Sequence, residues 1–158
     1  FCGATTLNIE DLEFGKMQMS NKKLVDLEGK LGFDFSFSYP ASIRNDTIER
    51  TIKSKLSKEL QVECIHNYDP VYFDKNGFLC KTLKATYEKV TGMDGTPVTT
   101  TGGTYAKIMP NIVPFGPSFP GQKGIGHNPN EWMDRSDLIL NAKIYALSIV
   151  RLANGEND

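Results

Sequence analysis

Leu31-Gly32-Phe33-Asp34-Phe35-Ser36-Phe37-Ser38-Tyr39-Pro40 is the stretch whose reading decides the fold of the first half of the chain. Leu31, Phe33, Phe35, Phe37 and Tyr39 alternate strictly with small or polar residues. Successive strand side chains point to opposite faces, so the alternation predicts one sheet face of large side chains and one solvated face carrying Asp34, Ser36 and Ser38. Pro40 stops the strand, having no N–H to give to a ladder. Upstream, Met17 and Met19 alternate with Lys16, Gln18 and Ser20, a polar Ser20-Asn21-Lys22 turn follows, and Leu24-Val25-Asp26-Leu27 resumes the extended pattern; a hairpin is expected there. Residues 1–13 fit either a helical turn or a connector.

Downstream, Asn45 or Asp46 offers a helix N-cap, Glu49 is placed for a capping-box contact with Asp46, and Ile48, Ile52, Leu56 and Leu60 recur every four residues. This predicts an amphipathic helix covering the sheet. Residues 61–66 read as a returning strand with Val62 and Cys64 inward, or Ile65 if a bulge intervenes. The first half is thus β-β-β-α-β. Turn-rich Asn67-Tyr68-Asp69-Pro70 and Asp74-Lys75-Asn76-Gly77 place a domain boundary between 1–72 and 73–158.

In the second half, Leu79, Leu83, Tyr87 and Val90 share one helical face, and Gly92 is placed as a C-cap. Residues 97–100 suit a short strand and 112–115 a buried one. A last helix begins near Asp134 or Ser136, carries Leu138, Ala142, Tyr145, Ala146, Ile149 and Ala153 inward, and ends at Asn154-Gly155. The fold class is α+β, an antiparallel sheet covered by helices followed by a second part rich in helix.

Bulk properties exclude some functions. A formal net charge of -1 with scattered Lys and Arg gives no electrostatic case for nucleic acid or for an acidic membrane surface. No apolar run approaches the roughly 18 to 20 residues that span a bilayer, and Phe1-Cys2-Gly3-Ala4 lacks the basic start and apolar body of a signal peptide, so the expected compartment is the cytoplasm. A start at Phe1 rather than Met fits a processed product, an excised domain or a fragment. Cys2, Cys64 and Cys80 match no zinc-finger or CxxC spacing; free thiols are expected, with Cys64 and Cys80 in apolar surroundings.

Three places could carry chemistry. Gly102-Gly103-Thr104 before a helical start leaves backbone N–H groups free to meet an anion, although a turn needing only positive φ would read the same. His127 ends a loop containing Gly121, Gly124 and Gly126, where an imidazole is aimed at a site or is simply solvated. Glu131, four positions on, serves as a local organiser of that histidine or as the cap of a short turn. His66, at the end of an expected strand, reads as structural or exposed.

Taken in order, Gly102-Gly103-Thr104-Tyr105-Ala106, the run Ile112-Val113-Pro114-Phe115-Gly116-Pro117 and Gly126-His127-Asn128-Pro129-Asn130-Glu131 resemble the C-terminal signature of the two-zinc peptidase and deacylase family that includes peptidase V, carnosinase-like Xaa-His dipeptidases, aminoacylase and succinyl-diaminopimelate desuccinylase. The resemblance is nearest to the peptidase V type. It implies a fragment of a zinc-dependent dipeptidase: residues 1–72 as part of the lid or dimerisation domain, and 73–158 as the C-terminal α/β portion of the catalytic domain. It further implies His127 as a metal ligand in a site of two zinc ions, Glu131 as a residue behind it, and Gly103 and Thr104 as substrate contacts. A neutral imidazole nitrogen suits Zn²⁺, and its other ring nitrogen calls for an acceptor that fixes the tautomer. Ser38 stands before Tyr39-Pro40 where such chains carry an arginine, and a hydroxyl supplies no bidentate charged clamp; Arg44 lies nearby in sequence. The upstream His-x-Asp, bridging aspartate and Glu-Glu pair of the family have no match here, and one histidine does not build a two-metal site. The fragment is therefore expected to be inactive alone, to require the missing N-terminal part, and to self-associate. An N-acyl amino acid deacylase and a non-catalytic dimerisation or binding module are the alternatives.

Overall fold

The computed structural model describes residues 9–100, 102–116, 118–122 and 125–156, apart from the side chains of Asn21 and Lys22. Cys2, Pro117 and Gly124 lie outside the described residues. Two compact units are present, Phe1–Tyr72 with Thr99–Pro110, and Phe73–Val98 with Asn111–Asp158. The class is α+β, with antiparallel strands and separate helices.

In the first unit, β1 (Glu10–Asp11) pairs antiparallel with β2 (Gly15–Lys16). The Asp11 carboxylate organises this hairpin: it accepts the Ser42 hydroxyl at 2.6 Å and the N–H groups of Phe14 and Glu13 at 2.9 and 2.8 Å. These donors, Ser42 foremost, hold its pKa below the ordinary carboxylate range. Next, β3 (Gln18–Leu27) pairs antiparallel with β4 (Lys30–Ser38) through a two-residue turn at Glu28 and Gly29. Both turn residues have positive φ, +56° and +82°, which matches the right-handed twist of the strands. The Asp26 carboxylate accepts the Gly29 N–H at 2.7 Å. The turn expected at Ser20-Asn21-Lys22 is instead a register shift inside β3, between Ser20 and Lys23. A bulge absorbs the polar triplet while the strand continues.

The alternation in β4 is real, but its environment differs from the expectation. Leu24 lies opposite Phe33 and Met19 opposite Phe37. Phe35 meets Phe37 edge to face with centroids 5.2 Å apart. Leu31 and Phe33 nevertheless remain 81% and 57% exposed. The helix of the same unit does not cover this face: α1 (Asn45–Lys55) packs on neither β3 nor β4. The opposite face is not merely solvated. Val25 and Leu27 close over Gly32, where a Cβ would stand 2.9 Å from Val25 Cγ2 and 2.7 Å from Leu27 Cδ1. Lys23 also pairs across the strands with Asp34 at 3.3 Å.

Helix α1 departs from its reading at both ends. Arg44 is the N-cap, without a side-chain bond; Asp46 pairs with Arg50 at 3.2 Å and Glu49 with Lys53, so these carboxylates serve i,i+4 pairs and form no capping box. The helix stops at Lys55, which leaves Ile48 buried and Leu56 and Leu60 exposed. Residues 61–66 form no strand: a period-2 pattern permits one, but a strand requires a partner ladder, and none lies beside this segment among the described residues. Cys64 is accordingly exposed, contrary to expectation.

In the second unit, α2 (Phe78–Thr91) ends at Gly92 in the left-handed conformation, and α3 (Arg135–Asn154) runs from Asp134 to Gly155. The Thr82 hydroxyl donates to the Glu156 carbonyl at 3.2 Å, bringing the start of α2 to the end of α3. At the other end, Tyr87 stacks on Phe119 at 6.2 Å, and Gln122 bonds the Asp137 carboxylate. The helices are therefore antiparallel. Leu83 is buried as expected.

Helix α3, however, is turned relative to the sequence reading. Its buried residues are Asn141, Ile144, Ser148 and Arg151, whereas Leu138 and Ile149 are 60% and 67% exposed, and Ala142, Tyr145, Ala146 and Ala153 also face outward. Both faces obey helical spacing, and α2, which packs against α3, likewise buries the small hydroxyl residues Thr82 and Thr86. Residues 97–100 and 112–115 form no strand. Tyr145 holds the second segment in its place, donating its hydroxyl to the Phe115 carbonyl at 3.0 Å. Glycine suits position 116, which has φ of +70° and where a Cβ would collide with the Tyr145 hydroxyl. No helix among the described residues is long and apolar enough to cross a membrane.

Two stability effects follow. Gly29→Ala places a side chain at φ +82° and is expected to destabilise the β3–β4 hairpin by about 1–2 kcal/mol, read as a lower urea midpoint. The Thr86 hydroxyl, in a fully buried residue, has no hydrogen-bond partner. Thr86→Val keeps the shape and removes the orphan group, so it is expected to raise stability by about 1 kcal/mol with an unchanged m-value.

Candidate functional site

The glycine pair lies in an irregular segment that leads into a single 3₁₀ turn, Tyr105–Lys107. Thr104 caps this turn: its hydroxyl oxygen accepts the Ala106 N–H at 3.2 Å, and its carbonyl accepts the Lys107 N–H at 3.1 Å. One three-residue turn, with a donor already taken by Thr104, has little of the dipole of a helix N-terminus. The anion-cradling expectation loses that support. The positive-φ reading fails at Gly103, which has no positive φ. Around Gly103, a Cβ would meet nothing within 4 Å. No feature within the described chain requires glycine at that position, which leaves an open backbone edge that an incoming group can approach closely.

His127 has φ of +62°, in the left-handed region that disfavours L side chains, and Asn130 shares the value. The loop closes on itself. Glu131 Oε2 accepts the His127 N–H at 3.1 Å, the Asn128 side-chain amide donates to the Gly126 carbonyl at 3.1 Å, and the Glu131 N–H donates to the Asn128 carbonyl at 3.2 Å. Glu131 therefore grips the backbone of the histidine rather than its ring. The imidazole is exposed, and among the described residues neither ring nitrogen has a protein partner, so both are open to a ligand. The left-handed backbone at His127 was not legible beforehand; the neighbouring Asn-Pro-Asn is its one local signal.

The remaining candidates are placed as follows. His66 is exposed in an irregular segment. Arg44 is exposed, with its guanidinium 3.4 Å from Asp46, and Ser38 ends β4 opposite Gln18. Gly103 and Thr104 belong to the first unit, and His127 and Glu131 to the second. Among the described residues, no three His, Cys, Asp or Glu side chains gather where they could hold a metal ion. One imidazole fits a zinc ion as a single donor; a full coordination shell takes further ligands from elsewhere.

With the site described, comparison with known proteins decides the relationship. Residues 7–151 match the sequence profile of peptidase family M20/M25/M40. The chain belongs to that family. It is similar to the protein of Bacillus subtilis (strain 168) named "Putative dipeptidase YtjP", with 29% identity over 151 residues, covering 96% of this chain and 30% of the relative. It is also similar to the Beta-Ala-Xaa dipeptidase of Lactobacillus delbrueckii subsp. lactis, with 32% identity over 139 residues, covering 87% of this chain and 30% of the relative. The chain thus spans about three-tenths of the length of these relatives. No solved structure gives a significant match.

The cysteines differ in reactivity. Burial, reinforced by the negative charge of Asp74, pushes the Cys80 thiol above its ordinary pKa, whereas Cys64 is exposed. Brief alkylation at neutral pH, followed by peptide mass mapping, is expected to label Cys64 well before Cys80; equal rates would contradict the burial of Cys80.

Proposed function

We propose that these residues act within a longer metal-dependent dipeptidase of the M20 type. The observation that carries the reading is the family match over residues 7–151, joined to relatives named as dipeptidases. Short peptides, dipeptides above all, are the proposed substrates. Two zinc ions are the proposed cofactors; when bound, such ions polarise the scissile carbonyl and acidify a water. In this chain His127 supplies one imidazole ligand, supported by its exposed ring with both nitrogens open. Gly103 and Thr104 contact substrate: the glycine admits a close backbone approach, and the Thr104 hydroxyl keeps its proton to donate while its oxygen caps the 3₁₀ turn.

The proposed division of labour assigns residues 1–72 to a lid or dimerisation domain and 73–158 to the end of a catalytic domain, in a cytoplasmic enzyme. The remaining ligands and the carboxylate base come from the rest of the longer protein in this reading, so these 158 residues alone are expected to be inactive. The exposed Leu24, Leu31 and Phe33 support self-association of this chain.

The test uses the full-length protein. With zinc present it is expected to hydrolyse dipeptides, and His127→Ala is expected to leave less zinc bound per chain and to lower kcat/KM by about 100-fold. Unchanged zinc content and activity in that variant would remove His127 from the site. Turnover of N-acyl amino acids in place of dipeptides would make the enzyme a deacylase.

A further inference from the structure

We propose that Glu131 is a positioning residue that aims His127 through the histidine backbone; this rests on the reading of His127 as a metal ligand. Three observations carry it. His127 sits at φ +62°, a conformation that an unsupported histidine leaves readily. The Glu131 carboxylate accepts the His127 N–H at 3.1 Å, a charge-assisted bond spanning the turn. Among the described residues no hydrogen bond reaches the ring itself, so the backbone direction and χ1 set where the imidazole points. Loss of the carboxylate frees φ to return to negative values, which swings the Cα–Cβ bond and carries the ring away from its position.

The mechanism differs from the usual support of a metal-bound histidine, in which an acceptor bonds the second ring nitrogen. Here no acceptor reaches the ring's second nitrogen among the described residues, and the restraint lies one covalent step back. Asn128 and the Glu131 N–H close the same turn, so the side chain and main chain of Glu131 act together on residues 126–131. Gln at position 131 retains an acceptor oxygen of the same reach, whereas Ala retains none.

The experiment compares the metal-stripped full-length protein with its Glu131→Ala and Glu131→Gln variants, followed by NMR of the His127 amide and ring during titration with zinc alone. Glu131→Ala is expected to speed His127 amide exchange severalfold and to weaken the zinc-dependent ring shift by about tenfold in apparent Kd, with Glu131→Gln recovering most of both. His66, remote in sequence, is expected to be unaffected. Unchanged His127 amide exchange in Glu131→Ala, or equal losses in the Ala and Gln variants, would overturn the proposal. A His127 ring that zinc leaves unmoved in the unsubstituted full-length protein would overturn the metal reading, and with it the aiming role; the amide data would then still say whether the backbone clamp exists.

Discussion

Each strand in the described part of this chain finds its partner next to it in sequence. β1 meets β2 across a three-residue connection and β3 meets β4 across Glu28-Gly29, while 61–66, 97–100 and 112–115, which have extended-compatible sequences but no neighbouring ladder, stay irregular. The reason is the obligation of backbone N–H and C=O groups to be paired when they leave water. Where no second strand is available, the chain keeps those groups at the surface or hands them to side chains, as Phe115 does to Tyr145. The same obligation explains the exposed aromatic face of β4. Two strands can satisfy their backbone and still leave Leu31 and Phe33 uncovered.

This sets how much could be read from the residues. The span and stop of β4, the two later helices and their glycine ends were legible, because alternation, helical spacing and left-handed caps are local properties. Three features were not. The polar triplet at 20–22 carries equal local signals for a turn and for a bulge; the decision belongs to Glu28-Gly29, seven residues later, which makes the tighter reversal. The face that α3 buries depends on α2, which buries the small residues Thr82 and Thr86, where the sequence of α3 alone favours its apolar side. The capping box at α1 lost to i,i+4 ion pairs that compete for the same carboxylates.

At the candidate site, the residue types were readable and their use was not. A histidine followed four residues later by a glutamate suggested a carboxylate behind a ligand; the bond instead runs to the main chain. The membership of the chain in peptidase family M20/M25/M40 agrees with the resemblance that its glycine, histidine and glutamate segments suggested. The glycine pair gains its meaning by subtraction. Gly103 needs no positive φ and clears no neighbouring atom, so the case for an incoming group rests on what the described residues leave unexplained.

The attachment of Gln122 to Asp137 has a consequence for thermal motion. Asp137 lies in the first turn of α3, and Asp134 opens that helix, so the segment bearing His127 leaves and returns to nearly the same piece of secondary structure. Such a closed excursion samples far less space than one strung from Phe115 to Asp134, and the cost of closing a loop grows by only about 0.6 kcal/mol for each doubling of its length. Insertions that lengthen the excursion beyond Gln122 would therefore leave the free energy of the unit almost untouched while widening the volume open to the imidazole. Precision at the histidine and stability of the helix pair are thus separable quantities in this molecule.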